Sequence, residues 1–137
     1  MSKPRNTRTN ARERFMQMLY EMDIQNDFSA EKRAQFEEMQ LGDEKPETAY
    51  FDAVFSALSE HLPEVDEALS SAASNWTIDR FAKVDLAILR LAVLELRYVD
   101  SIPEAVSINE AVELAKKYGT AESPKFVNGV LGKVVRG

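Results

Sequence analysis

Apolar positions in this chain recur at intervals of three and four, and no run alternates strictly enough to read as a strand. The spacing predicts an all-α protein of about seven helices. Over residues 7–25, Ala11, Phe15, Met18, Leu19 and Met22 form one stripe, with Arg8, Arg12 and Glu13 off it. Ser29 offers an N-cap for a second helix reaching Gln40, with Phe36 and Met39 inward and Gly42 as its terminator. A third helix begins after Pro46 and carries Phe51, Val54, Phe55 and Leu58. Pro63 separates it from a fourth that holds Val65, Ala68, Leu69 and Ala72.

Residues 86–99 are apolar on nearly every side, interrupted only by Arg90, Glu95 and Arg97, which predicts a central helix covered all round. A short helical turn over 77–83 precedes it and docks Trp76 and Phe81. Lys83, Arg90 and Arg97, spaced by seven, share one face. Beyond Pro103, Ser107 and Glu110 have the spacing of a capping box, and the helix they open ends at Gly119 after Lys116 and Lys117. Ser123 and Pro124 start the last helix as N-cap and first-turn proline, ahead of the stripe Phe126, Val127, Val130, Leu131 and Val134. Asn128 and Gly129 interrupt that helix, and glycine costs about 1 kcal/mol there relative to alanine. A structural reading has Gly129 admit the central helix closely while Asn128 bonds a neighbouring backbone.

The length of 137 residues suits one domain with a core of its own. The chain has no cysteine, so neither disulfides nor thiolate metal sites arise, and a reducing compartment, the cytoplasm, is expected. No apolar segment follows the basic N-terminus, and no run of about 18 apolar residues occurs to cross a membrane. Net charge is −6, unevenly spread. Lys3, Arg5, Arg8, Arg12 and Arg14 stand against Glu13 alone in residues 1–14. Residues 28–79 hold three cations against twelve carboxylates, and residues 80–137 hold nine against seven. A flexible basic arm over 1–6 and a mildly basic C-terminal half can attract a polyanion, while the acidic middle limits the surface involved.

Catalytic chemistry has no foothold. His61 is the single histidine and reads as a solvent-facing residue near a helix end; nothing offers it a metal partner or a nucleophile. The glycines lie within or after helices, which excludes a phosphate loop, and the carboxylates of 37–67 read as a solvated face. Arg5, Arg8 and Arg12 recur at three and four, so a helical arm aligns them, with Tyr20 on a nearby face. Arginines beside an aromatic ring can grip single-stranded RNA through phosphates and stacked bases. The same residues also read as a solubilising tail ahead of a core tyrosine, and both readings stay open. Lys125 and Phe126, in the first turn of the last helix, can meet a phosphate and a base. Phe126 equally begins the apolar stripe.

The segments "ILRLAVLELRYVDSIPEAVSINEAVELAKKYGTAESPKFVNGVLGKV" and "NARERFMQMLYEMDIQND" closely resemble the C-terminal half and first helix of the NusB family of transcription antitermination factors. The likeness covers nearly the whole chain and is weak only in the acidic middle. It implies a single NusB-like domain, 1–137, made of two small packed helical bundles, about 7–75 and 76–137. It further implies binding of single-stranded boxA RNA from ribosomal RNA leader transcripts together with the ribosomal protein NusE, and loading onto the RNA polymerase elongation complex, with no cofactor and no reaction catalysed. Family RNA contacts fall on Arg8, Arg12, Gln17, Tyr20, Asp85, Arg90, Lys125 and Phe126. Where members carry consecutive arginines this chain has Thr9 and Asn10, leaving Lys3 and Arg5 to supply charge. Members differ between monomer and homodimer, so a homodimer stays open. Two other readings stand beside this one. The first is a protein-only helical adaptor with an incidental basic arm. The second, a helper domain of an RNA methyltransferase, lacks a strand–glycine–helix unit for the methyl donor.

Overall fold

The structure is a computed structural model describing residues 7–43 and 47–137, among which lie six α-helices and no strand. These are α1 (Thr7–Gln25), α2 (Ala30–Phe36), α3 (Thr48–Ala72), α4 (Lys83–Tyr98), α5 (Glu104–Tyr118) and α6 (Ser123–Arg136). A π-helical turn, Glu37–Leu41, prolongs α2, and a 3₁₀ turn, Ile78–Arg80, leads into α4. Every residue from Asp85 to Glu95 is buried, the charged Asp85, Arg90 and Glu95 included, because α1, α3, α5 and α6 all pack on α4. α1 runs antiparallel to α4, since Arg12 meets Glu95 while Asp23 meets Lys83. One contiguous core results, in which Phe15 and Phe51 make an edge contact at 5.0 Å and Leu58, Leu69, Leu89 and Leu131 are fully enclosed. Each such side chain stabilises the fold by about 1.5–3 kcal/mol.

Pro63 does not separate two helices; α3 runs through it. The proline leaves the Ser59 carbonyl without its helical donor, but both residues lie on the exposed face, where water can serve. Val54, Leu58, Val65 and Leu69 keep one buried stripe across the proline, and that stripe holds the helix together. His61 is consequently within a helix rather than near an end, half-buried, with its ring stacked on Tyr98 at 4.0 Å.

The second helix also departs from expectation. Ser29 does cap it, accepting the Lys32 N–H at 3.1 Å. Its last turn, however, is π, closed by the Gly42 N–H to the Glu37 carbonyl at 3.2 Å. The extra residue rotates Leu41 inward and leaves Met39, expected in the core, 72% exposed. Gly42 then leaves the helix at φ +55°, a conformation that suits a residue without Cβ.

α5 starts at Glu104 behind Pro103, so Ser107 and Glu110 form no capping box. Both face other helices: Ser107 Oγ donates to Glu95 at 2.8 Å, and Glu110 receives Arg12 and Thr9. α6 starts one residue earlier than expected, making Ser123 its first residue, and the serine Oγ accepts the Thr120 N–H at 3.0 Å. Gly119 closes α5 in extended backbone. A Cβ there would stand 2.5 Å from Ser123 Cβ, so close approach requires the glycine.

Candidate nucleic-acid interface

Arg8 and Arg12 do share one side of α1, as their spacing requires, and both guanidinium groups lie over the Tyr50 ring, at 5.0 and 5.6 Å. What they face is carboxylate. Arg8 is half-buried and forms a two-point ion pair with Glu47, its Nε donating at 3.0 Å. This pair holds the Glu47 carboxyl below its ordinary range and raises the Arg8 pKa. Arg12 is only 4% exposed; its Nε donates to Glu95 at 2.8 Å and its Nη1 to Glu110 at 3.1 Å. Burial alone would lower the Arg12 pKa, but the Glu95 hydrogen bond and charge reverse that, and the net direction is upward. Glu95, itself 1% exposed, also accepts from the Tyr50 hydroxyl and from Ser107. Burial first, and then the Glu95 charge, push the Tyr50 phenol well above its usual pKa. Lys3 and Arg5 lie outside the described residues.

Arg90 is turned inward as well, at 4% exposure, gripping Asp66 with Nε and Nη2 at 2.8 and 2.9 Å while Nη1 lies 3.3 Å from Asp23. Arg12 and Arg90, expected among the RNA contacts, are therefore enclosed by the protein itself. Each has carboxylates from neighbouring helices around it, and a buried cation without such partners would be costly. Asp85, in the first turn of α4, is 9% exposed, and its Oδ1 has no hydrogen-bond partner among the described residues.

Gln17 and Tyr20 lie further along α1. Gln17 donates to the Tyr118 hydroxyl at 3.0 Å and accepts from Arg14 Nη1 at 3.0 Å; Tyr118 in turn donates to Glu13, which also pairs with Lys117. Burial and the Glu13 contact raise the Tyr118 pKa. Tyr20 is the exposed ring of the group, at 37%. Lys125 is exposed at the mouth of α6, and Phe126 beside it is half-buried, stacked on Trp76 at 5.8 Å and tilted against Phe81 at 6.0 Å. The ring thus joins an aromatic trio and keeps part of its surface open.

Arg8 and Arg12 flank the C-terminal end of α4, whereas Asp85 and the Phe126 trio flank its N-terminal end, about 20 Å away at the helical rise of 1.5 Å per residue. Gln17 and Tyr20 lie between, and Gln17 reaches the end of α5 that leads to Lys125. Tyr118 and Trp76 were not among the candidates from sequence. A tyrosine after two helix-end lysines and a lone tryptophan before α4 carry no periodic signal beyond packing. Among the described residues no group of histidines, cysteines or carboxylates is placed to hold a metal, and no helix is long and apolar enough to cross a membrane.

Comparison with known proteins bears on this arrangement. The family model for the NusB family matches residues 9–136. The transcription antitermination protein NusB of Agathobacter rectalis is 44% identical over 133 residues, covering 93% of this chain and 98% of that protein. Its counterpart in Geobacter sulfurreducens is 42% identical over 127 residues, 90% of this chain and 89% of that protein. Among solved structures, NusB of T. maritima superposes with a TM-score of 0.81 at 33% identity, covering 99% of this chain and 93% of that one. A complex of the antitermination factors NusB and NusE with double-stranded RNA gives 0.82 at 28% identity, over 95% and 96% of the two chains. Matched along nearly its whole length in sequence and in fold, the chain belongs to the NusB family of transcription antitermination factors, a non-catalytic family.

Proposed function

We propose that this protein binds the single-stranded boxA element of ribosomal RNA leader transcripts jointly with the ribosomal protein NusE, in the cytoplasm, and is loaded in that form onto the RNA polymerase elongation complex. The observation that carries the reading is the exposed Lys125 beside the half-open Phe126 ring, adjoining the end of α5 where Gln17 and Tyr118 meet. A cation at a helix mouth meets a phosphate, and an aromatic ring beside it takes a base at about 1–3 kcal/mol. Tyr20 extends the aromatic surface along α1. Arg12 and Arg90 act as positioning residues in this reading: they hold α1 against α3, α4 and α5 and so set the spacing of the groups that touch RNA. Arg8 offers charge at the opposite end, Lys3 and Arg5 add two cations to the sequence that precedes it, and Asp85 offers an acceptor to a base edge. The solved complex of a relative contains both NusE and RNA, which supports a composite surface.

With so many cations committed to internal carboxylates, affinity for RNA alone is weak and the partner supplies the rest. The test is a titration of boxA and scrambled strands, with and without NusE, at two salt concentrations. Preference for boxA that strengthens with NusE is expected; equal affinity for both strands refutes the reading. The internal pairing of Arg8, Arg12 and Arg90 also favours a second reading, a protein-only adaptor. Such an adaptor would show no binding to any polyanionic RNA even at low salt.

A further inference from the structure

Gly129, expected to admit the central helix, does nothing of the kind: a Cβ placed there meets no atom within 4 Å, and the residue is exposed. Glycine is among the weakest helix formers, and packing gives no reason for it at this position. What its bare backbone does is open a groove of about 500 Å³ between the end of α3 and the outer side of α6. Ala73 and Gly129 line the groove, Trp76 and Phe126 stand in it as aromatic neighbours, and Lys125 and Lys133 lie one turn to either side of the glycine. Glu122 is the one acid among the lining residues. Lys125 and Lys133 have no ion-pair partner among the described residues, in contrast to the arginines of α1 and α4. Arg80 adds a further cation over the Trp76 ring, at 4.7 Å.

We propose that this groove is a second nucleotide subsite, in which a base of single-stranded RNA inserts over Gly129 against the Trp76–Phe126 pair while Lys125 and Lys133 take the phosphates on either side. The inference rests on the RNA reading above and extends the strand beyond Lys125 along α6. The two lysines are eight residues apart, about 12 Å along the helix axis, which leaves room for a base between the phosphates they hold. Aromatic surface with flanking cations suits a strand that is read by stacking and charge. An aliphatic protein segment would use neither lysine, so charge complementarity favours the nucleic acid.

Trp76 is the only tryptophan, so its fluorescence reports the groove directly. A boxA core strand, and the same strand lengthened by a few nucleotides at each end, are titrated into the full chain with NusE. The lengthened strand is expected to bind about tenfold tighter and to quench Trp76, with the gain and the quench both lost in Gly129→Gln. Lys133→Gln lowers the salt slope for the lengthened strand by about 0.7, the share of one phosphate on a single strand. Both variants leave affinity for the core strand unchanged. A lengthened strand that gains nothing, or a gain that survives both variants, overturns the subsite while core binding still stands. If neither strand binds the unaltered chain, the RNA reading itself fails. If the variants weaken NusE capture and leave the RNA gain intact, the groove serves protein and the proposal is overturned.

Discussion

Glu95→Gln tests the centre of the fold. The carboxylate is 1% exposed and receives Arg12 from α1, Tyr50 from α3 and Ser107 from α5. Replacing it with an amide removes the charge that balances the buried Arg12 guanidinium. The amide also presents an N–H₂ to groups that are themselves donors. Removing one partner of a buried ion pair costs about 3–5 kcal/mol. Arg12 keeps Glu110 at 3.1 Å, and Glu110 is partly open to solvent, so the lower end applies, about 3 kcal/mol. Against a total stability of about 5–15 kcal/mol for a domain, that is a large share. It corresponds to a fall in Tm of about 10 °C for a chain of this size. Urea and thermal unfolding followed by circular dichroism measure it. The double variant Arg12→Met, Glu95→Leu, which replaces the pair with apolar groups, is less unstable than the two single changes combined, although Tyr50 and Ser107 still lose their acceptor. A loss below about 1 kcal/mol in Glu95→Gln, or a double variant as unstable as the two single changes combined, refutes the reasoning.

Three further outcomes follow from the same geometry. The Tyr50 pKa is raised in the folded state, so its contribution is complete below the unfolded value of about 10 and is lost as pH rises through the folded value; stability therefore declines above pH 10. In Tyr50→Phe the decline is flatter by up to about 1.4 kcal/mol per pH unit, and parallel urea-derived curves for the two proteins would refute the assignment. Two glycine substitutions have opposite signs: Gly119→Ala drives a Cβ into Ser123 and costs about 1–3 kcal/mol, whereas Gly129→Ala meets nothing and stabilises α6 by about 0.5–1 kcal/mol. Unfolding midpoints of the pair check both signs. Arg90→Ala leaves Asp66 without its cation and Asp23 with Lys83 alone, and lowers stability by about 3 kcal/mol, measured by urea titration; a change within about 0.5 kcal/mol would show that the pairing is immaterial.

The helices were legible because a 3.6-residue period is a local property, and the near-continuous apolarity of residues 86–99 foretold the burial seen over 86–95, while Arg97 stays exposed. Where the reading failed, a distant group decided. Pro63 looked like a break, but the stripe on both sides of it packs into one core. Ser107 and Glu110 had the spacing of a cap, yet Glu95 and Arg12 from other helices claimed them. The alignment of Arg8 with Arg12 was visible in their spacing. Glu47, at the cap of α3, Glu95 of α4 and Glu110 of α5, which occupy them, leave no mark in α1. Lys125 and Phe126 stood out through their place at a helix mouth. The groove behind them announced itself only as an unexplained glycine.

The π turn at the end of α2 has a meaning for how this chain tolerates insertions and deletions. A wide turn of this kind absorbs one residue more than the path of the backbone needs, and Leu41 reaches the interior because the turn is wide. Deleting Glu38 or Met39, both solvent-facing, would let the turn tighten to ordinary α geometry with Leu41 four residues after Phe36, on nearly the side it occupies now. The stretch between Phe36 and Gly42 can therefore lose one residue and still seat Leu41.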